Sequence, residues 1–206
     1  MDMNKTLLAA AVLAAVPFST MAAAPASSAY LDVYYVDSGV ELDGADDDGD
    51  GFGARIAGKV ADNIKLHGEY QTVNYDDSDI DLDQIRAGAS ISFSQSDALK
   101  LFGKLEFVNL KADGGGADES ESGFGVHGGL GFNVTPEFKL SASLGYLDVG
   151  DFGDGIEYNL GGSFDVTPAI AIVANYRVTD LQDGDFGAGS FDTKVDDIQV
   201  GVRFRF

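Results

Sequence analysis

The chain has 206 residues, with 34 acidic against 13 basic side chains and no cysteine, for a formal net charge of −21. That acidic excess argues against a nucleic-acid binder, which must neutralise phosphates with Lys and Arg. The absence of thiols excludes disulfide frameworks, thiol catalysis and cysteine-ligated metals.

At the N-terminus Lys5 precedes an apolar run over 6–18, followed by Met21-Ala22-Ala23-Ala24-Pro25-Ala26. This order of charge, apolar stretch and small residues predicts a secretory signal peptide over 1–26, too short to span a bilayer as a helix. Pro25 disfavours cleavage directly before it, which leaves Ala22, Ala23 or Ala26 as the last leader residue. The remaining 27–206 suffices for one domain. It contains no run of the ~18 apolar residues that a membrane helix needs, so the exported product is a soluble β protein or a membrane barrel.

From Tyr30 onward ten segments alternate with period two: 30–36, 52–60, 64–73, 84–93, 99–108, 124–133, 138–147, 156–165, 170–178 and 197–206. Most approach the ~9–11 residues of a tilted membrane-spanning strand. One phase collects the large apolar groups, as in Leu31, Val33 and Tyr35, in Leu99, Leu101, Leu105 and Phe107, and in Ile198, Val200, Val202, Phe204 and Phe206. No charge falls on that phase, and Thr72 is its one polar side chain. A lipid-facing Arg or Lys near the midplane costs ~2–4 kcal/mol, which accounts for the exclusion.

Ten cations fall on the opposite phase: Arg55, Lys59, Lys65, Arg86, Lys100, Lys104, Lys139, Arg177, Arg203 and Arg205. They share it with Asp32, Glu69, Glu106, Glu157, Asp165 and Asp197. Connections of about three to five residues alternate with longer ones, the pattern of short periplasmic turns and long outer loops. Aromatic residues collect at both segment ends, as the two girdles of a bilayer-spanning barrel do.

The tail Gln199-Val200-Gly201-Val202-Arg203-Phe204-Arg205-Phe206 resembles the C-terminal assembly signal of bacterial outer-membrane proteins, carried by Gln199, Gly201, Phe204 and Phe206. As a pattern, 30–206 resembles the small outer-membrane β-barrels, the group that includes OmpX, the OmpA barrel and porin-family-like proteins. The resemblance implies an all-β, closed, antiparallel up-and-down transmembrane barrel of ten strands, or eight if one segment is a loop hairpin. It implies placement in the bacterial outer membrane with both termini periplasmic and the loops extracellular. The implied partners are outer-membrane lipid and lipopolysaccharide, periplasmic chaperones, and the barrel-assembly machinery acting on the C-terminal strand.

The inward phase predicts a lumen network of Arg55, Lys59, Lys65, His67, Glu69, Arg86, Lys104, Glu106, His127, Glu157, Arg177, Asp197, Arg203 and Arg205. Long groups crowd the second to fifth segments, whereas Gly125, Gly129, Gly131, Ser141, Ser143, Gly145, Gly161 and Ser163 line the sixth to eighth. Long side chains can therefore reach across to a wall of small ones. A filled or very narrow lumen is expected, and a small-solute channel is the alternative.

The outer connections hold 24 of the 34 acids. Asp46, Asp48 and Asp50 precede Gly51 in a D-x-D-x-D-G pattern that could offer oxygen ligands to Ca²⁺ or Mg²⁺, but Ala57 stands where an EF-hand loop needs Glu. Solvated acidic segments are the favoured reading; loosely docked divalent cations, and no other cofactor, are the alternative. The two histidines point inward and form no triad, so an enzyme is not expected, and a rim hydrolase of lipid or peptide ranks below the channel. The leading expectation is a structural or surface-interaction barrel.

Overall fold

A computed structural model describes residues 29–42, 44–78, 80–94, 96, 98–114, 117–185 and 190–206. The expected leader over 1–26 lies outside the described residues. Ten strands run in order: β1 Ala29–Leu42, β2 Ala45–Ala61, β3 Ile64–Tyr75, β4 Ile80–Ser94, β5 Leu99–Gly114, β6 Ala117–Asn133, β7 Phe138–Asp148, β8 Asp154–Asp165, β9 Ile170–Asp185 and β10 Ser190–Arg205. A 3₁₀ turn, Gly150–Phe152, separates β7 from β8.

Each strand pairs antiparallel with its sequence neighbours, and β1 pairs with β10 to close the barrel. The tail supplies that closing seam: Val202 stands opposite Val33, and the Ala29 and Phe206 backbones exchange hydrogen bonds of 3.3 and 3.1 Å. Closure leaves no row of unpaired N–H and C=O groups, which hydrocarbon would not satisfy. The expected ten strands and up-and-down order are the ones observed.

The outward face is the expected apolar phase. Leu105 and Leu160 are 60% and 58% exposed, and the same face carries Ile56, Val126, Leu144, Ile172 and Val200. Such a surface is stable only against lipid. At the end that carries the termini the hairpins are tight. Two of these turns repeat Val-Thr-Pro: Val134 and Val166 donate backbone hydrogen bonds to Phe138 and Ile170, while the Thr135 and Thr167 hydroxyls accept from the same two residues. Pro136 and Pro168 fix φ inside these turns.

At the opposite end the strands run much further than the period-two reading of the lipid face predicts. β1 continues to Leu42, β2 starts at Ala45, and β5 and β6 remain paired out to Gly114 and Ala117. The expected long loops are for the most part continuing hairpins. The reason is a reversal of phase just beyond the loop-end aromatics. There the outward positions become acidic (Asp37, Asp48, Asp50, Asp81, Asp148, Asp196), and the inward ones become apolar (Val36, Val73, Val108, Leu147). Two apolar clusters form inside this extension. One joins Val108, Leu110, Leu147, Val149 and Leu181 with Phe152, and the other joins Val36, Val73 and Tyr75 with Val40 and Leu82.

Candidate functional site

Inward side chains occupy the lumen in layers. Nearest the termini, Arg203 grips Asp32 with two hydrogen bonds of 2.7 and 2.8 Å, and its guanidinium lies 3.9 Å from the centre of the Tyr30 ring. Lys139 reaches Asp165 at 2.6 Å, and Arg205 bonds the other oxygen of the same carboxylate. Lys59 and Lys65 face each other across β2 and β3 at this mouth, both exposed. A cavity of about 220 Å³ remains here beside the small wall of Ser141, Gly161 and Ser163.

The central layer is a closed lattice of charges. Arg55 donates to Glu69 at 2.7 and 3.0 Å. Arg177 donates to Glu69 at 3.1 Å, to Asp197 at 2.8 Å and to Gln71 at 2.7 Å. The Tyr34 hydroxyl adds a 2.7 Å hydrogen bond to Glu69. Beside it, Arg86 clamps Glu157 at 3.0 and 2.6 Å and reaches Glu106 at 3.0 Å. Lys104 approaches Glu106 at 2.9 Å, and His67 Nε2 lies 3.0 Å from the other oxygen of the same carboxylate. Four cations, Arg55, Arg86, Lys104 and Arg177, thus meet four carboxylates, Glu69, Glu106, Glu157 and Asp197.

Balance is what permits such burial, since an unpaired charge here costs several kcal/mol (of order 3–5). The Arg86 side chain is 1% exposed and that of Glu157 not at all. These pairs also cross the lumen: Arg86 on β4 meets Glu157 on β8, and Arg177 on β9 meets Glu69 on β3. Gln199, on the closing strand, accepts from Arg55 at 3.2 Å and donates to Gln71 at 2.8 Å. Gly201 of the same tail lets Tyr34 come close, because a Cβ there would lie 2.6 Å from the Tyr34 Cβ.

The small wall makes room for long groups opposite. A Cβ on Gly145 would sit 2.0 Å from His127 Nδ1, and one on Gly129 would sit 2.4 Å from the Phe102 ring. His127 is fully buried; its Nε2 lies 2.9 Å from Glu106 Oε1, off the direction of a good hydrogen bond. Glu106, His127 and Glu157 bring ligand-type atoms within 4.8 Å of one another. The Arg86 Nη1, 3.0 Å from both carboxylates, already supplies the positive charge a metal would bring.

Asp46, Asp48 and Asp50 stand on β2 rather than in a turn, spaced along an extended backbone on its exposed face. Alternate positions of a strand are about 6.6 Å apart, so these three carboxylates do not wrap a common centre as a calcium loop does.

Above the central layer the loop-end hairpins enclose an apolar cup of about 710 Å³. Its walls include Val40, Val73, Leu82, Leu110 and Leu181, and its floor is the Gln71–Asp197 edge of the charge lattice. The sequence reading missed the cup, although the apolar residues at 40, 73, 82 and 110 were its signal.

An apolar exterior closed around an ion-paired interior defines a transmembrane β-barrel. The chain matches the outer membrane protein beta-barrel domain over residues 8–155 and belongs to that family of bacterial outer-membrane barrels. No curated protein matches it. In fold it is similar to Neisserial surface protein A, at 16% identity and a TM-score of 0.53, over 89% of this chain and 100% of that one. Further similar structures are Ail, the attachment invasion locus protein of Yersinia pestis (18% identity, TM-score 0.42, 87% of this chain and 100% of that one), and OprG from Pseudomonas aeruginosa (11%, 0.42, 88% and 96%).

Proposed function

We propose that this protein is a structural and surface-interaction barrel whose lumen is closed to solutes, with its termini in the periplasm and its acidic hairpin ends outside the cell. The observation that carries the reading is the central lattice, where Arg86–Glu157 and Arg177–Glu69 bridge opposite walls in the buried middle of the lumen. Each bridge would have to break, exposing a buried charge, before a solute could pass.

The acidic collar outside the loop-end aromatics supports a surface role. Tyr70 and Tyr146 donate hydrogen bonds of 2.9 Å to Asp83 and Asp154, so the collar starts where the girdle ends. In the proposed orientation it meets lipopolysaccharide phosphates through divalent cations. His67 and His127 lie inside the barrel against Glu106, away from the rim where a lipid or peptide hydrolase would need them.

Recording in planar bilayers tests the closed lumen. The protein is expected to give no steady conductance above the bare membrane. Sustained current steps would establish the small-solute channel in its place.

A further inference from the structure

The charge lattice blocks the barrel at mid-height, so the cup above it is a dead end, suited to holding a molecule rather than passing one. Its volume, about 710 Å³, falls within the ~300–1,000 Å³ typical of small-molecule sites. Val40, Leu82, Leu110 and Leu181 face this space although it opens at the loop end. Apolar side chains around a water-filled cavity forgo the stabilisation that an apolar occupant would provide.

Charge narrows the occupant. Three carboxylates face the cup, those of Asp47, Asp77 and Asp197, and among the described residues no Lys or Arg lines it. Two of the three are held by groups of the protein. Asp197 is held by Arg177, and Asp47 accepts the backbone N–H groups of Asp77 and Ser78 at 3.1 and 2.9 Å. Asp77, exposed at the mouth, forms no ion pair with the described residues, whereas Asp46 stands on the outer face of β2. An anionic or zwitterionic headgroup would be repelled or left without a partner there, whereas a cationic one would gain the free carboxylate of Asp77 and the neighbouring negative charge of Asp47.

We propose that the cup binds a small cationic amphiphile, its apolar body among Val40, Leu82, Leu110 and Leu181 and its positive group at the mouth beside Asp77 and Asp47. The dead end rests on the closed-lumen reading above, but the cup and its acidic mouth do not depend on what the hairpin ends touch.

The chain contains no tryptophan, so Phe152→Trp places a single indole on the wall of the cup. The full-length variant in lipid nanodiscs is titrated with octyltrimethylammonium, octyl sulfate and octanol. These probes share one alkyl chain and differ in charge. The cation is expected to give a saturable emission shift with at least tenfold higher affinity than the sulfate or the alcohol. Asp77→Asn should weaken the cation at least fivefold and leave octanol unchanged. Calorimetry on the unsubstituted protein with the same probes provides the same ranking without the reporter. Equal affinity for the three probes, or no saturable response to any of them, overturns the proposal.

Discussion

Arg86 Nη2 lies 2.6 Å from Glu157 Oε2, and the two residues face each other across the lumen from β4 and β8. Arg86 is also the cation that joins Glu157 to Glu106. Arg86→Met should therefore leave two buried carboxylates short of charge and destabilise the barrel by about 3–5 kcal/mol. Adding Glu157→Gln should restore part of that loss. Reversible urea unfolding in lipid vesicles measures both.

Removing two guanidinium groups should open the lumen. With Arg86→Ala and Arg177→Ala, Glu69, Glu106, Glu157 and Asp197 keep only Arg55 and Lys104 as central partners. The expected result is a steady, cation-preferring conductance where the unsubstituted protein is silent. Heat-modifiable gel mobility checks that the variant is folded before recording.

Two glycines on β6 and β7 make a matched pair. A side chain at Gly145 would collide with the buried His127 ring, and a Cβ at Gly128 meets nothing within 4 Å. Gly145→Val should cost ~1–3 kcal/mol through overpacking. Gly128→Ala should be neutral or stabilise by a few tenths of a kcal/mol to ~1 kcal/mol, because it restricts the unfolded chain. The same urea midpoints distinguish them.

The lipid face sets another contrast. Leu160 is 58% exposed between Tyr158 and Phe164 of the two girdles. Leu160→Arg should cost ~2–4 kcal/mol near the midplane. Asp48→Arg, on the exposed collar of β2, should change stability by less than ~0.5 kcal/mol.

At the loop end the Ser78 hydroxyl and the backbone N–H groups of Asp77 and Ser78 hold the Asp47 carboxyl below its usual range. A depressed folded value means that this clasp is complete above the ordinary aspartate pKa of about 3.9. It is lost as the pH falls through the lowered value. Carbonyl NMR of Asp47 should show a midpoint below that of free aspartate, and Ser78→Ala should raise it.

Strand number and register phase were legible in the sequence, but the predicted lumen set also included Lys59 and Lys65, which stand exposed at the mouth. Lipid forbids charge on one phase, and every segment from Leu31 to Phe206 obeys that rule. Which cation meets which carboxylate was not legible. The Arg86–Glu157 and Arg177–Glu69 pairs depend on how strands far apart in the chain face each other once the barrel closes. Nor were the strand extensions, because an apolar outward phase stops at Tyr35 and Phe107 while the backbone pairing continues. Asp46, Asp48 and Asp50 were read as a turn for the same reason: their alternation belongs to a strand whose solvent has changed from lipid to water.

That change of solvent can be located to within a residue or two on a single hairpin. On β1 the outward positions pass from Tyr35 to Asp37, and on its partner β2 from Phe52 to Asp50. On β7 and β8 they pass from Tyr146 to Asp148 and from Ile156 to Asp154. The alternation is thus a depth gauge written into the primary structure, marking around the whole circumference where hydrocarbon stops. Hairpins could be lengthened or exchanged beyond that mark without altering how the barrel sits in its bilayer.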